Sequence, residues 1–237
     1  MSLSRLLILI LGSVYSLSRT TKIDALRPVE KPLFVIFGRP GSGKTTVANK
    51  AFDILSLDQK NRSKNHECVA LDLDVCVTQL MRDNFSEGMY PSLEERKVFA
   101  VGACDYVEEQ LAAIRQTENK PDSTSAIISF SFVNTDLRDI FRSRFPSAEW
   151  ILIDTTEEEC TKRINEREGH FYKGGTPANN AETETRDESV AKNDDQENSD
   201  WKFAPVTFPH IILDGYDSIE DNAHNVVEEI VGKIKMN

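Results

Sequence analysis

The stretch Leu33-Phe34-Val35-Ile36-Phe37 runs directly into Gly38-Arg39-Pro40-Gly41-Ser42-Gly43-Lys44-Thr45-Thr46. An unbroken apolar run of this length reads as a strand buried on both faces. The residues from Gly38 to Thr45 fit G-x-x-x-x-G-K-[ST], the P-loop pattern. Beyond it Val47, Ala51 and Leu55 recur at every fourth position, one face of a helix. Strand, glycine-rich loop and helix, in that order, let backbone N–H groups curl toward phosphate oxygens at a helix N-terminus. Gly38 to Thr46 are therefore expected to bind nucleotide phosphates. Lys44 would reach the β- and γ-phosphates and the Thr45 hydroxyl would ligate magnesium. The cofactors implied are ATP and Mg2+.

Working outward, apolar runs at 68–72, 126–130, 150–153 and 211–213 predict four more strands. Helical periodicity lies between them. Ser92 and Glu95 form a capping box ahead of Phe99, Ala103, Val107 and Leu111. Thr155 with Glu158 is expected to cap a later helix ending near Arg167. A last helix from Asp217 carries Ile219, Ala223, Val226, Ile230 and Ile234. Strands alternating with helices predict an α/β fold, a parallel sheet covered on both sides.

The 237 residues are enough for one such domain, placed at 31–237. The net charge of −11 is uneven. Between Asn180 and Asp200 eight acids face two bases, a net of −6 that leaves −5 for the rest. The stretch from about 174 to 200 lacks aromatics and reads as a flexible acidic insert. No basic stripe speaks for nucleic acid. Cys68, Cys76, Cys104 and Cys160 form no C-x-x-C pair and are expected to be buried free thiols. Residues 1–25 have a basic start at Arg5 and a short apolar core, Leu6 to Leu11. That is the shape of a targeting leader, too short for a membrane helix. It would direct the chain to a plastid-like organelle; otherwise the chain reads as cytoplasmic. No membrane contact is expected of the mature form, and a homodimer is the assembly to test.

In an open parallel sheet, ligands gather at the carboxyl ends of the strands. Asp72 and Asp74 stand after the second strand, on the same side in extended geometry. Ser131, Asn134 and Arg138 follow the third. Arg163, Arg167 and His170 follow the fourth and its helix. Phosphoryl transfer needs these groups: a carboxylate for magnesium (Asp72), one for the attacking hydroxyl (Asp74), and arginines for charge spread over the transferred group. Arg163 and Arg167 suit a closing element over the phosphates.

Arg163-x-x-x-Arg167-Glu168-Gly169-His170-Phe171 and the segment Ser131 to Arg142 resemble gluconokinases, and Asp72-x-Asp74 is similar to the pair in gluconokinases and shikimate kinases. The resemblance spans roughly 32–172 and 206–234. It implies a P-loop kinase with a five-stranded parallel sheet in 2-3-1-4-5 order, phosphorylating a sugar acid from ATP. On that resemblance Lys44, Asp74 and Arg167 are catalytic, Arg163 also meets the nucleotide, Asp74, Ser131 and Arg138 hold the substrate, and Thr45 and Asp72 serve the metal. Val75-Cys76-Val77-Thr78 stands where gluconokinases carry His-Pro, and Asn134 where they carry lysine.

The expected activity is an ATP-dependent kinase for a small-molecule alcohol, gluconate-like by preference. Shikimate or a nucleoside monophosphate is the alternative acceptor. A P-loop ATPase or switch without acceptor is the rival of another class, with Asp154 as its Walker B candidate.

Overall fold

The computed structural model describes residues 33–62, 66–87, 89–116, 123–167 and 202–236. The leader, the acidic insert, and Glu168 to Phe171 lie outside them. In chain order the elements are β1 (Leu33–Phe37), α1 (Lys44–Arg62), β2 (His66–Asp72), a 3-10 turn (Leu73–Cys76), α2 (Gln79–Ser86), α3 (Leu93–Arg115), β3 (Ser123–Ser129), α4 (Thr135–Arg144), β4 (Glu149–Asp154), α5 (Glu157–Asn165), β5 (Ile211–Asp214) and α6 (Ile219–Met236).

The five strands form one sheet in the order β2-β3-β1-β4-β5, every pair parallel. This is the expected topology. β1 is central and wholly buried because it is paired on both sides and covered on both faces. Its alternation divides the core. Leu33, Val35 and Phe37 join one cluster with Phe99, Val107, Phe141 and Trp150, under α3 and α4. Phe34 and Ile36 join the other with Val47, Ala51, Val226 and Ile230, under α1 and α6. An uninterrupted apolar run is what a strand covered on both faces requires.

Caps fix the helix starts with one change of register. The capping box at α3 is present: the Glu95 N–H donates to Ser92 Oγ and the Ser92 N–H to the Glu95 carboxylate. At α5 the cap is Thr156, whose Oγ1 accepts from the Glu159 N–H at 3.4 Å, one residue later than Thr155–Glu158. Thr155 is instead 2 % exposed. It packs where a Cβ on Gly215 would fall 1.8 Å from its hydroxyl. α6 starts at Ile219, with Ser218 Oγ accepting from the Asp221 N–H. The helical stretch after β2 is interrupted because Thr78 caps α2 separately. Three of the cysteines are buried, Cys76 is half-buried, and all are free. Burial pushes the Cys68 thiol up to about 11 and the Cys104 thiol up to about 12. Among the described residues no helix is long and apolar enough to cross a membrane.

Candidate active site

β1 ends at the first glycine of the loop, and α1 begins at Lys44. Gly41 and Gly43 take φ of +86° and +96°, the region that favours glycine. A Cβ on Gly41 would lie 2.6 Å from the Cys160 carbonyl oxygen. The loop closes on itself through the Ser42 N–H to Arg39 O at 3.1 Å and Lys44 Nζ to Arg39 O at 2.7 Å. Among the described residues the buried Ser42 Oγ has no hydrogen-bond partner. A curled loop, a helix N-terminus, an unpartnered buried hydroxyl and a buried ammonium fit a polyphosphate.

Burial pulls the Lys44 ammonium from 10.5 down to about 8, against Asp74, Cys160 and Asp72, which favour the charge. An anionic ligand binds the protonated form. Nucleotide affinity of the free protein is therefore expected to fall as pH rises through about 8, well below the range of an ordinary lysine. Calorimetric titration of ADP between pH 7 and 10 checks this; affinity unchanged up to pH 9.5 would contradict it.

The Thr45 hydroxyl lies 3.5 Å from that of Ser129, at the end of β3. Ser129 is in register with Asp72. The hydroxyl and carboxylate oxygens of Thr45 and Asp72 are hard donors that suit magnesium. Among the described residues no three His, Cys, Asp or Glu side chains gather into a metal cluster. Magnesium here would lean on phosphate oxygens and water, its usual habit.

Asp72 and Asp74 both line the cleft beside the loop. Extended geometry is not what brings them there. The chain turns into a 3-10 turn at Leu73, and Asp72 Oδ1 accepts from the Asp74 N–H at 3.0 Å. Arg82 of α2 braces the turn from outside, donating to Asp74 O at 2.6 Å and Val77 O at 3.2 Å. Ser131 lines the same cleft, as do Pro40, Thr46 and the exposed Arg167.

Two arginines stand elsewhere. Arg138 is 1 % exposed and does not face the cleft. Nε donates to Phe132 O, Nη1 to Ala204 O and Pro205 O, and Nη2 to Val133 O, between 2.7 and 3.2 Å. Its guanidinium also lies 4.5 Å from the Phe203 ring centroid. Four of its five N–H groups are thus given to carbonyls, and the structure does not bring Arg138 to the cleft where a substrate-holding residue was expected. It is a bracket between α4 and the segment leading to β5. Burial lowers it to about 10, so it stays charged at neutral pH. Arg138→Ala would take a donor from four carbonyls, leaving the buried Phe132 O without this partner, and removes a buried side chain between α4 and the segment leading to β5; it should cost ~2–4 kcal/mol of stability, read from urea unfolding. A loss below ~1 kcal/mol would refute the bracket. Arg163 donates to Glu159 at 2.9 Å and to Gly215 O at 3.0 Å, tying α5 to the loop after β5. Asp154 lines a second cleft with Arg39, Asp214 and Tyr216 and is not among the residues that line the first cleft with Thr45.

The far wall was missed. The cleft encloses about 520 Å³ and continues past the carboxylates to Met81, Tyr90, Arg96, Phe99 and Phe130. Arg96 is 5 % exposed; Nε donates to Asp136 at 3.0 Å, Nη1 to Pro91 O at 2.9 Å, and the guanidinium faces the Tyr90 ring at 5.5 Å. The Tyr90 hydroxyl donates to Asn134 Oδ1. The available signal was a charge on an apolar face: Arg96 precedes Phe99 by three positions in the row that continues to Ala103 and Val107.

A family model described as an AAA domain, AAA_33, matches residues 33–190, well over half of the chain. The chain belongs to this family. No curated protein matches it in sequence. Several solved structures share the fold of this AAA domain. A sugar kinase from Janibacter sp. is 18 % identical with a TM-score of 0.57, over 84 % of this chain and 93 % of that one. A gluconokinase from Sinorhizobium meliloti is 15 % identical with a TM-score of 0.53, over 89 % and 98 %. The APS kinase of Mycobacterium tuberculosis, in complex with AMPPNP and APS, is 18 % identical with a TM-score of 0.53, over 85 % and 98 %. At these identities the likeness is one of fold: this AAA domain has the architecture of P-loop small-molecule kinases.

Proposed function

We propose that the protein is an ATP-dependent kinase that transfers the γ-phosphoryl group to a hydroxyl of a small molecule. The observation that carries this is the convergence of the loop, Thr45, Asp72 and Asp74 on one cleft that extends beyond the phosphate cradle. A hydrolase needs room only for water; this cleft has space for an organic acceptor.

Magnesium-bound ATP would supply the phosphoryl group and neutralise part of its charge. Gly38 to Thr46 hold the phosphates through backbone N–H groups. Lys44 follows the charge that develops on the transferred group, and Thr45 with Asp72 anchors the metal. Asp74 orients the acceptor hydroxyl and takes its proton. Arg167, at the cleft's rim, adds positive charge where the phosphates emerge. Arg163 serves the nucleotide by holding the loop after β5 in place, and Ser131 offers the acceptor a hydroxyl. Nothing in this scheme needs nucleic acid or a membrane.

The test is ADP formation from ATP and magnesium, alone and with candidate acceptors. Stimulation by an acceptor supports a kinase. A rate indifferent to every acceptor would favour the ATPase or switch. Resemblance alone points to a sugar acid, as do the sugar kinase and gluconokinase among the fold neighbours. The wall opposite the carboxylates is a separate matter.

A further inference from the structure

We infer that the acceptor is a nucleoside or nucleoside monophosphate rather than a sugar acid, an inference that rests on the kinase reading above. The cleft has two unlike ends. Lys44, Thr45, Asp72 and Asp74 crowd one end; Val77, Met81, Phe85, Phe99, Phe130 and Leu137 build the other. None of those six carries a conventional side-chain donor or acceptor. A sugar acid carries a hydroxyl on nearly every carbon, and each one buried without a partner weakens binding. Beyond Ser131, Tyr90 and Arg96, which also line the cleft, such a wall has no partner to offer them.

A flat heteroaromatic base suits the same wall. The rings of Phe99 and Phe130 pack against each other, centroids 5.0 Å apart and planes inclined by 32°, and both line the cleft with aromatic surface. Bases stack on such faces whatever their identity. Two polar side chains stand among these residues: Tyr90, whose hydroxyl donates to Asn134, and Arg96. Arg96 has Nε and Nη1 engaged, and Nη2 makes no hydrogen bond among the described residues. It can donate to a base carbonyl or ring nitrogen. With the base on this wall, the sugar and any phosphate extend toward Asp74 and the loop. The acceptor oxygen attacks the γ-phosphorus while the bond to the β–γ bridging oxygen breaks. ADP leaves with that electron pair. If the acceptor is a ribose hydroxyl its proton passes to Asp74; if it is a monophosphate oxygen, none need move.

The full chain decides this with initial rates of ADP formation at fixed Mg-ATP. The acceptors are adenosine, cytidine, AMP, CMP, gluconate and shikimate. At least one of the first four should give a kcat/KM about 100-fold or more above gluconate. Adenosine or cytidine as the better substrate assigns the hydroxyl; AMP or CMP assigns the phosphate. Phe130→Ala and Phe99→Leu should each raise KM for that acceptor roughly 5- to 100-fold, with KM for ATP unchanged. The second variant guards against a folding failure of the first. Preference for gluconate or shikimate overturns the inference and leaves the kinase reading standing. No stimulation by any acceptor overturns the kinase reading and this inference with it.

Discussion

Asp74→Asn is expected to lower turnover by roughly two to four orders of magnitude with little change in melting temperature. The substitution keeps shape and removes the charge that accepts the hydroxyl proton. The backbone bonds that build the turn, from the Asp74 N–H to Asp72 and from Arg82 to the Asp74 carbonyl, are untouched by it. The loss should fall on kcat rather than on KM for ATP, because the interaction is made in the transition state. A second effect accompanies it. Asp74 is the leading charge that keeps Lys44 protonated against burial. Without it, nucleotide affinity should begin to fail at a lower pH than in the parent. Steady-state kinetics with the preferred acceptor would detect the first effect, and full activity would remove Asp74 from the chemistry. Should the acceptor atom be a phosphate oxygen, the kcat loss would shrink while the shift in pH dependence persisted.

Lys44→Ala should be still more damaging to activity and nearly harmless to the fold. Loss of one donor aimed at developing charge in a water-poor site costs about 10²- to 10³-fold. Weakened nucleotide binding compounds it, so kcat/KM for ATP should fall by more. Stability follows a different logic. A lysine whose pKa is lowered on folding opposes folding wherever both states carry the proton, below about 8 here. That opposition fades as pH rises toward 10.5, since the unfolded chain then holds more protons than the native one. Removing the ammonium removes the opposition; against this stand a small cavity and the lost bond to the Arg39 carbonyl. Equilibrium unfolding at pH 7 should therefore show no large destabilisation. A variant that is active would exclude Lys44 from catalysis, and one that unfolds would show that the loop depends on its bond to Arg39.

Local rules made the P-loop end of the cleft legible. The P-loop declares itself through glycines at positions where the backbone takes positive φ, and an apolar β1 covered on both faces marks a parallel sheet, while the order of its strands is what the resemblance to gluconokinases implied. Asp72 and Asp74 were found from their place after β2, although a 3-10 turn rather than an extended strand presents them. The wall beyond the carboxylates was hidden because its residues double as core. Phe99 and Phe130 satisfy the helix and strand patterns that make them look like packing, and only the fold shows that they also bound a cleft. Arg138 failed in the opposite direction. Its place after β3 and the resemblance to gluconokinases suggested a ligand, but its four carbonyl partners include two, Ala204 and Pro205, that lie beyond the acidic insert in sequence. No local signal announces a contact across that distance.

The account turns on where the γ-phosphoryl group goes, and its fate can be followed directly. ATP labelled at the γ-position would be incubated with the protein, magnesium and the acceptor set, and the products separated. Label on an organic acceptor, lost in Lys44→Ala, is the predicted result. Label recovered only as inorganic phosphate at the same rate with and without acceptors would contradict it.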